Sequence, residues 1–192
     1  MKSSEKQFVC QKIAFCGSMG SGKSWAAKYL KDFFLSQDCP SRIMSLSTAI
    51  KNLVLGNTQF DNREGYQTIG TMGRTIDPES WVNILLKEIK REEAGTNIIV
   101  DDVRYENELI ALRELGFKII YMDTPWNVRL LRIQKRYAKN NTNQPVINFN
   151  DFVRWFTHDS EIQFDDLPES IFDKVIKTSK ELGKYFNEEW KM

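Results

Sequence analysis

Residues Gly17-Ser18-Met19-Gly20-Ser21-Gly22-Lys23-Ser24 match the pattern GxxxxGK[ST], and every residue type in it has a task in holding a phosphate chain. Glycines at Gly17, Gly20 and Gly22 let consecutive backbone N–H groups, that of Ser21 included, turn inward around an anion. Lys23 then reaches the β- and γ-phosphates, and the Ser24 hydroxyl binds Mg²⁺. A loop of this kind usually works with a second carboxylate at the end of a neighbouring strand, and Asn97-Ile-Ile-Val-Asp101-Asp102 provides an acidic pair. Adjacent strand residues face opposite sides, so only one of Asp101 and Asp102 is expected at the metal, and period alone leaves open which.

Cations follow on segments that must converge on the same end of the molecule. Lys51 and Arg74 lie between the loop and the acidic pair, and Arg104 follows Asp102 by two residues. A guanidinium there suits bidentate capture of an acceptor's phosphate. Arg129, Arg132 and Arg136 recur at spacings of three and four, so on a helix they form one basic stripe. That stripe runs into the polar segment from Lys139 to Pro145, the arrangement a closing lid needs to exclude water during phosphoryl transfer. Trp81 and its apolar neighbours are candidates to wall a base, although a helix Trp at this spacing is more often core.

The elements that must position these residues are short β-branched runs separated by segments of helical period. Lys12–Cys16, Arg42–Leu46, Asn97–Asp101, Lys118–Met122 and Phe172–Ile176 read as about five strands of a parallel sheet with helices between them. Helices are expected over Trp25–Leu35, from Asp77-Pro78 through Ile89, over Glu106–Leu115 before Gly116, over Asn127–Tyr137 and over Lys180–Trp190. The loop thus stands after a strand and before a helix, as its mechanism requires, with Lys23 expected to be exposed. The 192 residues suit one domain, with the acceptor-binding insertion at about 47–95 and the lid at about 129–150. Charge is balanced, 27 Lys+Arg against 26 Asp+Glu, so a polycationic nucleic-acid binder is excluded and any anion site is local. Three cysteines without CxxC spacing and a single His argue against zinc and against a disulfide framework, hence for a reducing compartment. No apolar run has the length of a signal peptide or a membrane span, so a cytoplasmic protein with no membrane partner is expected.

Five segments together resemble the deoxynucleoside monophosphate kinases of tailed bacteriophages: GSMGSGKS (17 to 24), IGTMGRTIDPESWVN (69 to 83), VDDVRYENE (100 to 108), THDSE (157 to 161) and FDKVIKTSKELGKYF (172 to 186). The likeness spans most of the chain. It implies an α/β P-loop NTPase three-layer fold carrying a nucleoside-monophosphate-binding insertion and a short lid. It also implies phosphoryl transfer from ATP, with Mg²⁺, to a deoxynucleoside 5′-monophosphate, in the host cytoplasm if the protein is phage-encoded. The family's DVR..NE pattern falls on Asp102, Arg104, Asn107 and Glu108, and its HxSE pattern on His158, Ser160 and Glu161. On this resemblance Asp102 serves the metal, with Asp101 the alternative. Arg74, Arg104, Glu108, Arg136 and Glu161 serve the acceptor, Arg132 acts on the transferring group from the lid, and Thr178 and Ser179 lie by the donor's adenine. The segment before Lys12 and the stretch from Asn57 to Tyr66 depart from the family, which leaves the acceptor base open. The oligomeric state is open too, a homodimer included. Two alternatives stand beside this reading: a kinase of another phosphorylated metabolite such as phosphomevalonate, and a nucleotide-dependent switch without a small acceptor.

Overall fold

Alternating burial turns the apolar runs into strands with a helix layer on each face. In the computed structural model, which describes residues 10–54, 63–140 and 149–189, β1 (Lys12–Cys16) sends Ile13 and Phe15 to one side and Ala14 and Cys16 to the other. This is the period-two pattern of a strand buried on both faces. The remaining strands are β2 (Ser41–Met44), β3 (Asn97–Val103), β4 (Lys118–Met122) and β5 (Lys174–Ile176). All pair in parallel, in the order β2-β3-β1-β4-β5.

On the Ile13 face lie α1 (Lys23–Ser36) and α9 (Ser179–Glu189), which bury Ala26, Ala27, Leu30, Leu182 and Phe186 against Ile99, Ile120 and Ile176. The Ala14 face is covered by α2 (Ser47–Val54), α3 (Arg63–Ile76), α4 (Ser80–Ile89) and α5 (Glu106–Glu114), through Ile50, Ile69, Trp81, Leu85, Leu109 and Leu112. Against the glycine loop after β1 lie α6 (Trp126–Asn140), α7 (Phe149–Phe156) and α8 (Asp159–Ile162). There Ile133 and Phe152 close on Met19 of the glycine loop in a small core of their own. Among the described residues no helix is long and apolar enough to cross a membrane.

Three expectations change. The second strand stops at Met44 rather than Leu46, because Ser45 and Leu46 turn to meet Asp102. The last strand begins at Lys174, while Phe172 packs into the core. The third strand runs two residues beyond Asp101 and is irregular there: Ala14 pairs with Val100 but Cys16 pairs with Val103. Two steps on β1 therefore oppose three on β3, a β-bulge at the acidic pair. The polar lid segment from residue 141 to Pro145 and most of the stretch starting at Asn57 lie outside the described residues, as do the residues before Cys10 and Trp190.

Candidate active site

The loop between β1 and α1 is built on backbone that side chains would obstruct. Gly17 has φ +131° and a Cβ there would lie 2.9 Å from the Met122 carbonyl oxygen; Gly20 has φ +78° and a Cβ would lie 2.9 Å from the Arg129 carbonyl oxygen. Lys23 is buried rather than exposed, its Nζ donating to the carbonyls of Gly17 at 2.5 Å and Ser18 at 2.9 Å. Burial, with the Arg104 charge next, pushes its pKa down to about 7 in spite of Glu161 and Asp102 nearby.

The bulge gives Asp101 and Asp102 different partners on one side of the sheet. Both line the cavity at the loop, so strand alternation does not separate them. Asp102 is committed to the turn after β2: its carboxylate accepts from Ser45 Oγ at 2.6 Å, Leu46 N at 2.7 Å and Ser47 N at 2.8 Å. Asp101 instead has a buried Oδ1 with no hydrogen-bond partner among the described residues. Its pKa is raised by burial and by the adjacent Asp102, against the hydroxyls of Ser24 and Ser45 and the charge of Lys51. The expectation that Asp102 carries the metal role meets a carboxylate that already accepts three hydrogen bonds from the turn after β2. The free oxygen belongs to Asp101, close to Ser24, and these hard oxygen donors suit Mg²⁺.

Two guanidinium groups face the same space, each held by a buried carboxylate. Arg74 Nη2 donates to Glu108 at 2.6 Å while its guanidinium lies 3.8 Å from the centre of the Tyr105 ring. The other oxygen of Glu108 accepts from the backbone N–H groups of Arg104 and Tyr105 at 2.9 and 3.1 Å. Arg104 Nη1 donates to Glu161 at 2.5 Å, and Glu161 also accepts from the Met19 N–H of the glycine loop. Glu108 and Glu161 are thus corrected from ligand contacts to struts: both are buried with their oxygens spent on these partners. Trp81 is corrected too. It is core, donating from Nε1 to the Gly70 carbonyl at 2.9 Å and lying so close to Gly73 that a Cβ there would be 2.3 Å from the ring.

Arg132 and Arg136 line the cavity at the glycine loop, opposite Thr178 and Ser179, so Arg136 lies on the donor side rather than with the acceptor residues. Arg132 Nη1 donates to the carbonyls of Gly20 at 3.1 Å and Ser21 at 2.9 Å, which ties α6 to the loop. A second cavity opens between α2, α3 and the start of α8, lined by Lys51, Tyr66, Gln67, Arg74, Tyr105 and His158 among others. The two measure about 440 and 150 Å³ and have Asp102 and Arg104 in common. Tyr66, Gln67 and Tyr105 were not singled out from the sequence; only their position on one wall, nearly forty residues apart in the chain, marks them.

Comparison with known proteins agrees with this fold. The M. tuberculosis APS kinase CysC in complex with AMPPNP and APS superposes with a TM-score of 0.54 at 15% identity, covering 94% of this chain and 96% of that one. A sugar kinase from Janibacter sp. HTCC2649 gives 0.54 at 15% over 94% of both, and the shikimate kinase of Acinetobacter baumannii with shikimate gives 0.51 at 14% over 93% and 92%. At these identities the likeness is one of fold, that of the P-loop kinases. In sequence the chain is 30% identical over 115 residues to the uncharacterized protein ORF77 of Ictalurid herpesvirus 1 (strain Auburn), and 24% identical over 119 residues to ORF76 of the same virus. Each match takes in 59% of this chain and about half of the viral protein. The AAA domain family profile matches residues 13–151, from β1 into α7. A phosphate loop on a five-stranded parallel sheet, matched over that length, makes this chain a member of the AAA domain family.

Proposed function

We propose that the protein transfers a phosphoryl group from ATP to a deoxynucleoside 5′-monophosphate, giving the diphosphate. The observation that carries the reading is the pair of cavities meeting at Asp102 and Arg104, one floored by the glycine loop and the other walled by Arg74. A nucleotide switch needs the first cavity only. A kinase needs both, opened toward each other, because phosphoryl transfer is catalysed mainly by holding donor and acceptor in line.

The loop amides and Lys23 hold the donor's phosphates, with Thr178 and Arg136 at the far wall of that cavity. ATP and Mg²⁺, when bound, supply the transferable group and the positive charge that screens it; Ser24 and Asp101 would hold the metal. Asp102 fixes the turn after β2 and so the near wall of the acceptor cavity. Arg74 and Arg104 orient the acceptor phosphate, whose oxygen is already anionic near neutral pH, so no side chain has to take a proton. Glu108 and Glu161 keep those guanidinium groups aimed. Arg132 bridges the lid helix to the loop and places positive charge where it accumulates in the transition state.

Acceptor-stimulated ADP release in the presence of Mg²⁺ tests the reading, with the four deoxynucleoside monophosphates set against phosphorylated metabolites such as phosphomevalonate. Turnover of a nucleotide is the expected result. Turnover of a short metabolite alone would reassign the acceptor, and nucleotide binding without any acceptor-stimulated release would favour a switch.

A further inference from the structure

Three aromatic rings form a column between α1 and α9, and the column ends at the cavity of the glycine loop. Phe186 of α9 is buried, and Tyr29 of α1 stacks on it with ring centroids 5.9 Å apart and planes 19° from parallel. Trp25 stacks on Tyr29 in turn, at 5.5 Å and 22°. Opposite Tyr29 the helix α9 carries Gly183, whose Cβ would lie 3.7 Å from Tyr29 Oη, so the middle ring sits against both helices. Trp25 is the last ring. It is 50% exposed and lines the cavity together with Thr178 and Ser179.

A single exposed apolar side chain on a helix calls for no explanation. Trp25 differs in where it stands and in which face of its ring is open. It follows Ser24 directly, at the end of α1 where the N–H groups of the loop converge. Helical side chains tilt toward the N-terminus of their helix. Tyr29, one turn further on, therefore covers the indole from the C-terminal side, and the other face is turned toward the loop. An indole packed on one face and open on the other, beside an anion site, suits a flat ring attached to that anion.

We propose that Trp25 is the stacking platform for the donor's base, which adds a fourth ring to the column while Lys23 and the loop amides hold the phosphates. The inference rests on the first cavity being the donor site and names the residue that holds the end of the donor remote from the reaction. Stacking uses the π-face that every base possesses, so it selects by ring area more than by edge groups. Purine triphosphates are thus favoured over pyrimidine ones, and Trp25 is the source of the difference.

The test is binding in the presence of Mg²⁺ and without any acceptor, which keeps it apart from the question of what is phosphorylated. Dissociation constants for ATP, CTP and inorganic tripolyphosphate are measured by calorimetry on wild type, Trp25→Ala and Trp25→Phe. Tripolyphosphate offers the phosphates without a base. Trp25→Ala is expected to weaken ATP binding by about 10- to 100-fold, the effect of one lost base–aromatic stack, CTP by less and tripolyphosphate not at all. Trp25→Phe keeps a ring and should recover most of the ATP affinity. In wild type, ATP should quench indole fluorescence where tripolyphosphate does not, and the quench should vanish in Trp25→Phe. Thermal midpoints near that of wild type would show that both variants fold. Equal losses for ATP and tripolyphosphate, no loss at all, or a quench that survives without Trp25 overturn the role of Trp25 and leave the donor site in place. If wild type binds neither ATP nor tripolyphosphate, the donor reading itself falls and this inference with it.

Discussion

Replacing Asp101 by Asn removes a charge next to Ser24 while keeping the shape of the side chain, so kcat should fall by about a hundredfold or more, as when one preorganised charge-stabilising group is lost. The Mg²⁺ concentration needed for half-maximal rate should rise, with the urea midpoint little changed. Asp102→Ala should behave differently, because it strands Ser45 Oγ, Leu46 N and Ser47 N, all now bonded to the carboxylate. Hydrogen bonds to charged groups are worth about 1.5–3 kcal/mol each, so a loss of at least about 2 kcal/mol in urea unfolding is expected. A stable Asp102 variant with altered metal dependence beside an unaffected Asp101 variant would exchange the two roles. Lys23 makes a prediction in pH. With its pKa lowered to about 7 by burial, much of the free protein carries neutral Lys23 at about pH 8, and bound phosphates restore the ammonium, so binding takes up a proton. At about pH 6 the lysine is protonated in both states and uptake vanishes. Calorimetric titration with ATP at about pH 8 should therefore give heats that depend on the buffer's ionisation enthalpy, in the direction of proton uptake. Buffer-independent heats at that pH would mean that the free protein already holds the ammonium.

At the scale of elements, Gly73→Ala tests how α3 and α4 hold the acceptor wall. The added Cβ would lie 2.3 Å from the Trp81 ring, so one helix must shift, at a cost of about 1–3 kcal/mol for overpacking. Since Arg74 rides on α3, the KM for the acceptor should rise with it, while the KM for ATP stays near wild type; parallel increases in both would show that the helix pair braces the whole site. This pair is also where the sequence is hardest to read. The five strands are legible because runs such as Ile98-Ile-Val100 are apolar and bounded by turn formers. Gly70 and Gly73 look like loop residues in IGTMGRTI, yet sit in mid-helix, and Gly73 serves to let Trp81 approach. Packing that overrides propensity leaves no local trace. The glycine loop is visible in eight consecutive residues, whereas the bulge that turns Asp101 and Asp102 to one side is a single extra residue in β3 with no signature of its own. Glu108 and Glu161 could be picked out by resemblance, but their work as struts depends on partners 34 and 142 residues away in Arg74 and Met19. Gln67 had no pattern to mark it.

At the scale of the whole molecule, the proposed donor and acceptor roles of the two cavities that share Asp102 and Arg104 predict that one ligand spans both. An adenosine joined through a polyphosphate chain to a deoxynucleoside should raise the thermal midpoint more than ATP and the monophosphate added together at the same concentrations. Linkage makes the second contact intramolecular, and a ligand at a hundred times its Kd stabilises by about 2.7 kcal/mol. A shift no larger than that of the separate ligands would mean that the cavities are not connected in line. The strand order has a consequence of another kind, for the growing chain. β1 and β2 are the first strands made, but they are not neighbours: each pairs with β3, which stands between them. A nascent chain ending before Asn97 therefore has no pair of strands that the final sheet joins, and the apolar faces of β1 and β2 wait for β3, β1 through some eighty residues of synthesis. Once residues 97–103 emerge, both pairings become available together. Chains halted short of Asn97 should expose that surface to chaperones and proteases, and chains carried a few dozen residues past Val103 should begin to resist digestion.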